Sequence, residues 1–359
     1  MRIAWFRAQD PEVSSPSAVT AGLAALGPPF TVDVITETRA RTLPVDQVRH
    51  TYDLCVFELD NSQAAEFEWP YLFGCPGVLV PLDDTLYASR RGSLEREGRR
   101  ADLDAEFAFD HGHPIRRRGG EAAHGRWPML RAPLYASRLV VVPDAARAAT
   151  LSDTYPDVIV RVVPPSVRGP EVLSLPKVGG DAPLVVAPSG PLARATLERA
   201  ASRAREGGAL VSVIDHARPD HHDADAVVVL GPLERPFEIA HTLSLMAHGR
   251  TAIVHEREST ALLPALDPQT WRPRDGRPAV AISIDPRDEE HSLALALKGL
   301  AKDKALCRAI GTAAHLWWRE HATPTVGGEG WRAVVQEAAH ASPPPRPGDW
   351  PAHLSTDGL

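Results

Sequence analysis

The sequence predicts an α/β fold of two Rossmann-like lobes facing one cleft. Three observations lead there. Short apolar runs alternate with amphipathic stretches along residues 2–163. A Pro/Gly-rich stretch then interrupts the pattern, from Pro164-Pro165 through Gly169-Pro170 to Gly179-Gly180. The same alternation restarts at Leu184. Strand and helix in alternation specify a parallel sheet covered on both faces, and a Pro/Gly stretch without periodicity reads as a linker.

In the first half, Arg2–Phe6 is the opening strand, followed by a loop over 8–16. Ser17 is placed to cap a helix whose Ala18, Val19, Gly22, Leu23 and Leu26 share one face. Phe30–Thr36 alternates as a strand. Leu54–Phe57, Val78–Val80, Leu139–Val142 and Val158–Val163 are apolar runs bounded by turn residues, as buried parallel strands are. In the second half, strands are expected at Leu184–Ala187, Ala209–Ile214, Ala226–Leu230, Ala252–His255 and Val280–Ile284. Helices are expected at Leu192–Glu206, Ile239–His248, Glu289–Ala301 and Asp303–Glu320. The resulting division is a first lobe over 1–165, a linker over 166–180, a second lobe with C-terminal helices over 181–341, and a loosely ordered Pro-rich tail over 342–359.

Composition narrows the function. The 359 residues are enough for two domains with their own cores. The net charge of −7 argues against a nucleic-acid partner bound through its phosphates. No apolar run reaches about 18 residues, the least that spans a bilayer. The N-terminal apolar stretch ends at Arg7, too soon for a signal peptide. Cys55, Cys75 and Cys307 are odd in number and far apart, so neither a disulfide framework nor a zinc spacing is expected. A cytoplasmic protein is the expectation.

The segment Tyr52–Tyr87, YDLCVFELDNSQAAEFEWPYLFGCPGVLVPLDDTLY, resembles the first lobe of family-4-like GT-B glycosyltransferases. Those proteins often read YDLVVYQLGNSxxHxFIWPYLxxYPGVVVLHDxxLHH. The likeness is carried by Asp53, Asn61, Ser62, Phe67, Trp69-Pro70-Tyr71-Leu72, Pro76-Gly77-Val78, Val80, Asp83 and Leu86. Phe107–Gly112, Pro128-Met129, Ala136–Val142 and Val163–Val167 extend it. In the second half, 223–254 resembles the family's ADVVVxPSxxEPFGLxxLEAMAxGxPVV more loosely.

The resemblance implies a GT-B fold with an acceptor lobe first and a donor lobe second. It also implies sugar transfer from a nucleotide-diphosphate sugar to an acceptor hydroxyl, without metal or further cofactor. The acceptor would be a glycan, a lipid-linked molecule or a small molecule, and a peripheral membrane or protein partner stays open. Asp83 and His111 take the catalytic places. Asn61 and Asp84 take the acceptor side, and Arg194, Glu234, Glu238 and Ser244 the donor side.

Each of these residues also has a plainer reading. Asp83-Asp84 follows a strand and suits a helix N-cap. His111 and His113 precede an Arg-rich stretch, Arg116–Arg118, that reads as a polar loop. Arg194 lies on an Arg-rich helix face. The run Asp215-His216 to Asp225 is dense in metal-capable ligands but reads as a solvated acidic turn. Trp317, Trp318 and Trp331 are expected to pack where a terminal helix returns to the first lobe.

Three departures from the family support a second reading, a catalytically degenerate subunit that binds a partner or glycan. Pro16 stands in the usually glycine-bearing first loop. Leu82 replaces a His. Ser244 stands where retaining members carry the second carboxylate of Glu-x7-Glu. A sugar-nucleotide epimerase is ranked last, because no G-x-G-x-x-G follows the first strand.

Overall fold

The computed structural model describes residues 1–8, 18–113, 127–170, 182–189, 191–215, 224–230, 239–256 and 260–355. Two compact units emerge: Met1–Pro164 with Gly327–Leu359, and Pro165–Leu233 with Phe237–Val326.

The first unit is built on a six-stranded parallel sheet in the order β2-β1-β3-β4-β5-β6. Its strands are β1 (Arg2–Arg7), β2 (Thr31–Ile35), β3 (Leu54–Leu59), β4 (Val78–Pro81), β5 (Leu139–Val142) and β6 (Val160–Val162). Every residue of β3, β4 and β5 is buried, so these strands read as unbroken apolar runs and not as alternations. The intervening helices are α1 (Glu37–Ala40), α2 (Val45–Thr51), α3 (Glu68–Gly74), α4 (Tyr87–Arg96), α5 (Arg100–His111), α6 (Arg131–Ala136) and α7 (Ala145–Thr154). Asp144 caps α7 by accepting from the Arg147 amide.

The second unit carries a seven-stranded sheet in the order β12-β11-β13-β10-β9-β7-β8. Its strands are β7 (Leu184–Pro188), β8 (Val211–Val213), β9 (Ala226–Val229), β10 (Thr251–His255), β11 (Ala265–Asp267), β12 (Arg272–Pro273) and β13 (Ala281–Ile284). All pairings are parallel except the short β11–β12 pair. Helices α8 (Pro191–Glu206), α9 (Ile239–Ala247), α10 (Glu289–Lys302) and α11 (Lys304–His321) belong to this unit. Helix α8 buries Ala193, Leu197, Ala200, Ala201 and Ala204, a stripe at helical spacing that faces the core.

Two expectations are corrected here. No α-helix forms over 18–26; the chain makes turns and one short 3₁₀ segment, Leu23–Ala25. Gly22 lies so close to the Gly327 backbone that a Cβ would collide with it, and Pro28-Pro29 follows at once. The segment is shaped by what packs on it more than by its helical spacing. Ser17 itself lies outside the described residues, as does Pro16.

Over its described residues, 342–355, the tail also makes defined contacts. Helix α12 (Pro324–His340) enters the first unit from Gly327 onward, and Trp331 donates its indole N–H to the Val19 carbonyl at 2.7 Å. Beyond it, Asp349 pairs with Arg131 at 2.9 and 3.1 Å, Trp350 meets Phe109 edge-on, and Leu354 is buried. Trp318, in contrast, serves the second unit and donates to the Val167 carbonyl at 3.1 Å. Residues 327–341, expected in the second lobe, are thus grouped with the first unit. No described helix is long and apolar enough to cross a membrane.

Candidate functional site

Both sheets share one topological feature. The strand order reverses beside the first strand of each unit, between β1 and β3 and between β7 and β9. Loops leaving such a switch point diverge to opposite faces of the sheet, so they open a crevice at the strands' carboxyl ends. Asn61 follows β3 and Asp83 follows β4, while Arg194 lies on the helix after β7 and Ser244 on the helix after β9.

In the first unit the structure brings Asn61, Asp83 and Asp84 into one network. The Asp83 carboxylate accepts the Asn61 backbone N–H at 2.8 Å. The Asn61 side chain accepts from the Ala88 and Ser89 amides at 2.7 and 3.3 Å and donates to the Thr85 hydroxyl at 3.0 Å. It therefore caps α4 from the loop after β3, where the helix's own N-cap residue, Leu86, makes no side-chain hydrogen bond. Arg147 on α7 donates to the Asp83 carbonyl at 3.1 Å and pairs with Asp84 at 2.8 Å. The ends of β3 and β4 are thereby held by side chains from three segments.

His111 has partners of its own. It ends α5, stacks on Phe107 at 4.1 Å, and lies 3.2 Å from the Phe107 carbonyl and 3.4 Å from the Asp110 carboxylate. Its Nε2 is buried and has no hydrogen-bond partner among the described residues. Asp110 accepts the Met129 and Arg131 amides at 3.0 and 2.7 Å, which fixes the neighbouring chain. These contacts belong to α5 and the approach to α6, whereas those of Asn61 and Asp83 belong to β3, β4, α4 and α7. Residues 116–118 lie outside the described residues.

In the second unit, Arg194 is exposed and divides its guanidinium between Glu198 at 2.9 Å and Asp215 at 2.8 Å. The hydrogen bond to Glu198, then that to Asp215, raises its pKa further. The Ser244 carbonyl faces the His248 ring at 2.7 Å. Glu234, Glu238 and the run 216–223 lie outside the described residues. Asp225, at the end of that run, accepts the Val185 amide at 2.8 Å. Among the described residues no group of three or more His, Cys, Asp or Glu side chains is arranged to hold a metal ion.

Two residues stand out that sequence reasoning did not single out. Glu68 lies inside the FEWPYL motif and is fully buried near the switch point of the first unit. Burial first, then the Asp60 and Glu58 carboxylates, raises its pKa well above the ordinary 4.5, against the nearby Ala8 amide and the Arg7 charge, and neither of its carboxylate oxygens has a hydrogen-bond partner among the described residues. Glu58 itself accepts the Trp5 indole at 3.1 Å and the Thr20 hydroxyl at 2.9 Å. The second residue is His241, one helical turn before Ser244 on α9. Burial lowers its pKa from 6.5, and its Nε2 has no hydrogen-bond partner among the described residues. A carboxylate between aromatic neighbours, and a His three residues before the Ser244 position, were the available signals.

A cavity of ≈ 560 Å³ in the first unit is lined by Glu37, Gln63, Glu66, Phe67, Arg96 and Glu97, with Arg96 paired to Glu66. None of the residues expected to act on substrate lines it.

No protein-family model matches the chain, and no curated protein matches it by sequence. Solved structures do resemble it. Sucrose-phosphate synthase from Thermosynechococcus elongatus aligns with a TM-score of 0.54 at 12% identity, over 93% of this chain and 98% of that one. Anabaena HepE in complex with UDP-glucose aligns with a TM-score of 0.54 at 12% identity, over 94% and 100% of the two chains. These neighbours are GT-B glycosyltransferases. The chain has their fold, with two parallel α/β sheets, at an identity where the likeness speaks for fold alone.

Proposed function

We propose that this protein transfers a sugar from a nucleoside-diphosphate sugar to an acceptor hydroxyl without a metal ion. The observation that carries the reading is the full-length fold likeness to an enzyme solved with UDP-glucose bound. The Tyr52–Tyr87 motif supports it, because its Asn61 and Asp83 follow β3 and β4, at the strand ends where α/β sheets receive ligands.

The donor belongs at the switch point of the second unit. The N-terminal amides of α9 and the Arg194 guanidinium suit a diphosphate, whose charge grows as the glycosidic bond breaks. Arg194 would exchange its exposed carboxylate partners for phosphate. His241, kept neutral by burial, offers its unpartnered Nε2 to a donor hydroxyl or phosphate oxygen. Glu234 and Glu238 complete the expected donor set. The acceptor belongs in the first unit, with Asn61 and Asp84 for its hydroxyls and Asp83 and His111 for the reacting one. A glycan, a lipid-linked molecule or a small polyol fits this chemistry.

A second reading, a non-catalytic binding subunit, is favoured by one observation. Asn61 and Asp83 hydrogen-bond to one another and to α4, as residues in a structural network do.

Calorimetric titration with UDP, GDP and their glucose conjugates separates the two, followed by transfer assays with and without EDTA. Binding weakened in Arg194→Ala and His241→Ala, with transfer unchanged by EDTA, is the expected result. Failure to bind any of these at millimolar concentration establishes the binding-subunit reading. Loss of transfer in EDTA overturns the metal-free mechanism.

A further inference from the structure

The cavity of the first unit, ≈ 560 Å³, has the size of a small-molecule site, about 300–1,000 Å³. Its wall comes from three segments that follow β2, β3 and β4: the start of α1, the turn and α3 after β3, and the end of α4. It is continuous with the acceptor residues. Gln63, in its wall, stands two positions after Asn61, and the Asn61 side chain caps the first turn of α4. From Ala88 in that turn to Arg96 in the wall, the helix rises about 12 Å at about 1.5 Å per residue.

Glu66 is the centre of the wall. A Cβ on Gly92, inside α4, would strike the Glu66 Oε1. Glycine weakens a helix interior, and here its bare backbone seats the carboxylate against α4. Arg96, one turn further along the helix, pairs with Glu66. The Glu66 side chain is 6% exposed and that of Arg96 61%, so the carboxylate lies deep and the guanidinium stands at the rim. The other charged wall residues are paired as well, Glu37 with Arg41 at 2.8 Å and Glu97 with Arg99 at 3.2 Å. Gln63 and Ser93 bring an amide and a hydroxyl, groups that both donate and accept. Phe67 and Pro70, half-buried, give the wall an apolar patch.

These features select among ligands. A phosphate or a uronate would meet three carboxylates, and an ammonium would have to displace an arginine from its partner. A ring that carries hydroxyls suits every part of the wall. The carboxylates accept from its hydroxyls, Arg96 and Gln63 donate to its oxygens, and its C–H face lies on Phe67 and Pro70. Hydrogen bonds in which one partner is charged are the stronger kind, so the paired side chains bind without the ligand needing a charge. We propose that the cavity holds an uncharged sugar unit of the acceptor, away from the reacting hydroxyl. The acceptor is then a neutral carbohydrate of two or more units, because a single ring does not bridge Asn61 and the far end of α4. This narrows the acceptor classes named above and rests on the transferase reading.

The test uses the full-length protein without donor, in saturation-transfer NMR and calorimetry. Maltose, cellobiose and lactose are the neutral probes, digalacturonate the anionic one and the glucosamine disaccharide the cationic one. At least one neutral disaccharide should bind, and the charged probes should bind about tenfold more weakly or not at all. Sodium chloride up to about 1 M should leave the neutral affinity within about twofold. Glu66→Gln and Gln63→Ala should each weaken that affinity about threefold or more. Gln63 is exposed, so its replacement reports on the site even where Glu66→Gln fails to fold. Absence of binding by every neutral probe at tens of millimolar overturns the proposal. So does equal or tighter binding of a charged probe, or an affinity unchanged in Gln63→Ala. The transferase reading is tested separately by UDP, GDP and their glucose conjugates. Binding of a neutral disaccharide without any nucleotide binding leaves the cavity assignment standing and removes the transferase reading. Nucleotide binding without any disaccharide binding does the reverse.

Discussion

The Arg90 guanidinium grips the Glu106 carboxylate with contacts of 2.5, 2.8 and 3.1 Å, and each side chain is only 2% exposed. Arg90 lies over the Trp69 and Phe73 rings, and His353 of the C-terminal tail reaches the same carboxylate at 2.8 Å. The pair joins α4 to α5, and the tail closes over it. Removing one partner leaves the other charge buried, which costs about 3–5 kcal/mol. Arg90→Met and Glu106→Leu should each lower stability by that order in urea unfolding, whereas the double variant should recover most of the loss. A double variant as unstable as the sum of the singles would refute this.

The pH dependence has two opposed parts. Glu106 loses some ease of ionisation to burial, but Arg90 and then His353 outweigh that and hold it below 4.5. Its stabilisation is complete above the ordinary value and is lost as pH falls through the lowered folded value. Glu68 is raised, so its contribution is complete below 4.5 and is lost as pH rises through the raised folded value. Glu68→Gln should therefore gain in melting temperature over the unaltered protein as pH goes from 5 to 8. A gap that stays constant across that range would show that Glu68 is ionised in the fold.

Asn61 has a role that can be separated from any role in binding. Asn61→Ala deprives the Ala88 and Ser89 amides of their acceptor, and loss of a cap of this kind costs about 0.5–2 kcal/mol. Asn61→Asp keeps an acceptor oxygen but loses the donation to Thr85. It should be the less destabilised of the two in thermal melts. The reverse order would mean that repulsion from Asp83 outweighs the cap.

At the donor side, Ser244→Glu tests the departure from the family pattern. If the donor ribose reaches this helix face, a carboxylate there adds hydrogen bonds of roughly 1.5–3 kcal/mol, about ten- to a hundredfold in affinity. Titration with UDP-glucose is expected to show that gain. An affinity equal to or below that of the unaltered protein would remove Ser244 from the donor site.

Most strands and the amphipathic helices of the second unit were legible in the sequence, whereas the helix expected over 18–26 was not formed. Leu139–Val142 is a strand and 193–204 presents a helical stripe because apolar spacing is a local property, readable wherever burial follows period two, period 3.6 or an unbroken run. The periodic pattern also breaks at Pro164-Pro165, because proline constrains the chain where it stands. Tertiary structure alone decided what the polar side chains do. Asn61 suits an acceptor site by resemblance, yet its amide caps a helix that begins 26 residues later. Trp331 bonds to Val19 across 312 residues, and His353 reaches Glu106 across 247. Neither contact leaves a mark in local periodicity. The same holds for Glu68, whose raised pKa follows from burial beside two other carboxylates and not from the motif that surrounds it. Apolar burial is additive and non-directional, so a pattern foretells it. A hydrogen bond or an ionisation depends on where one specific partner stands, and long-range packing sets that position.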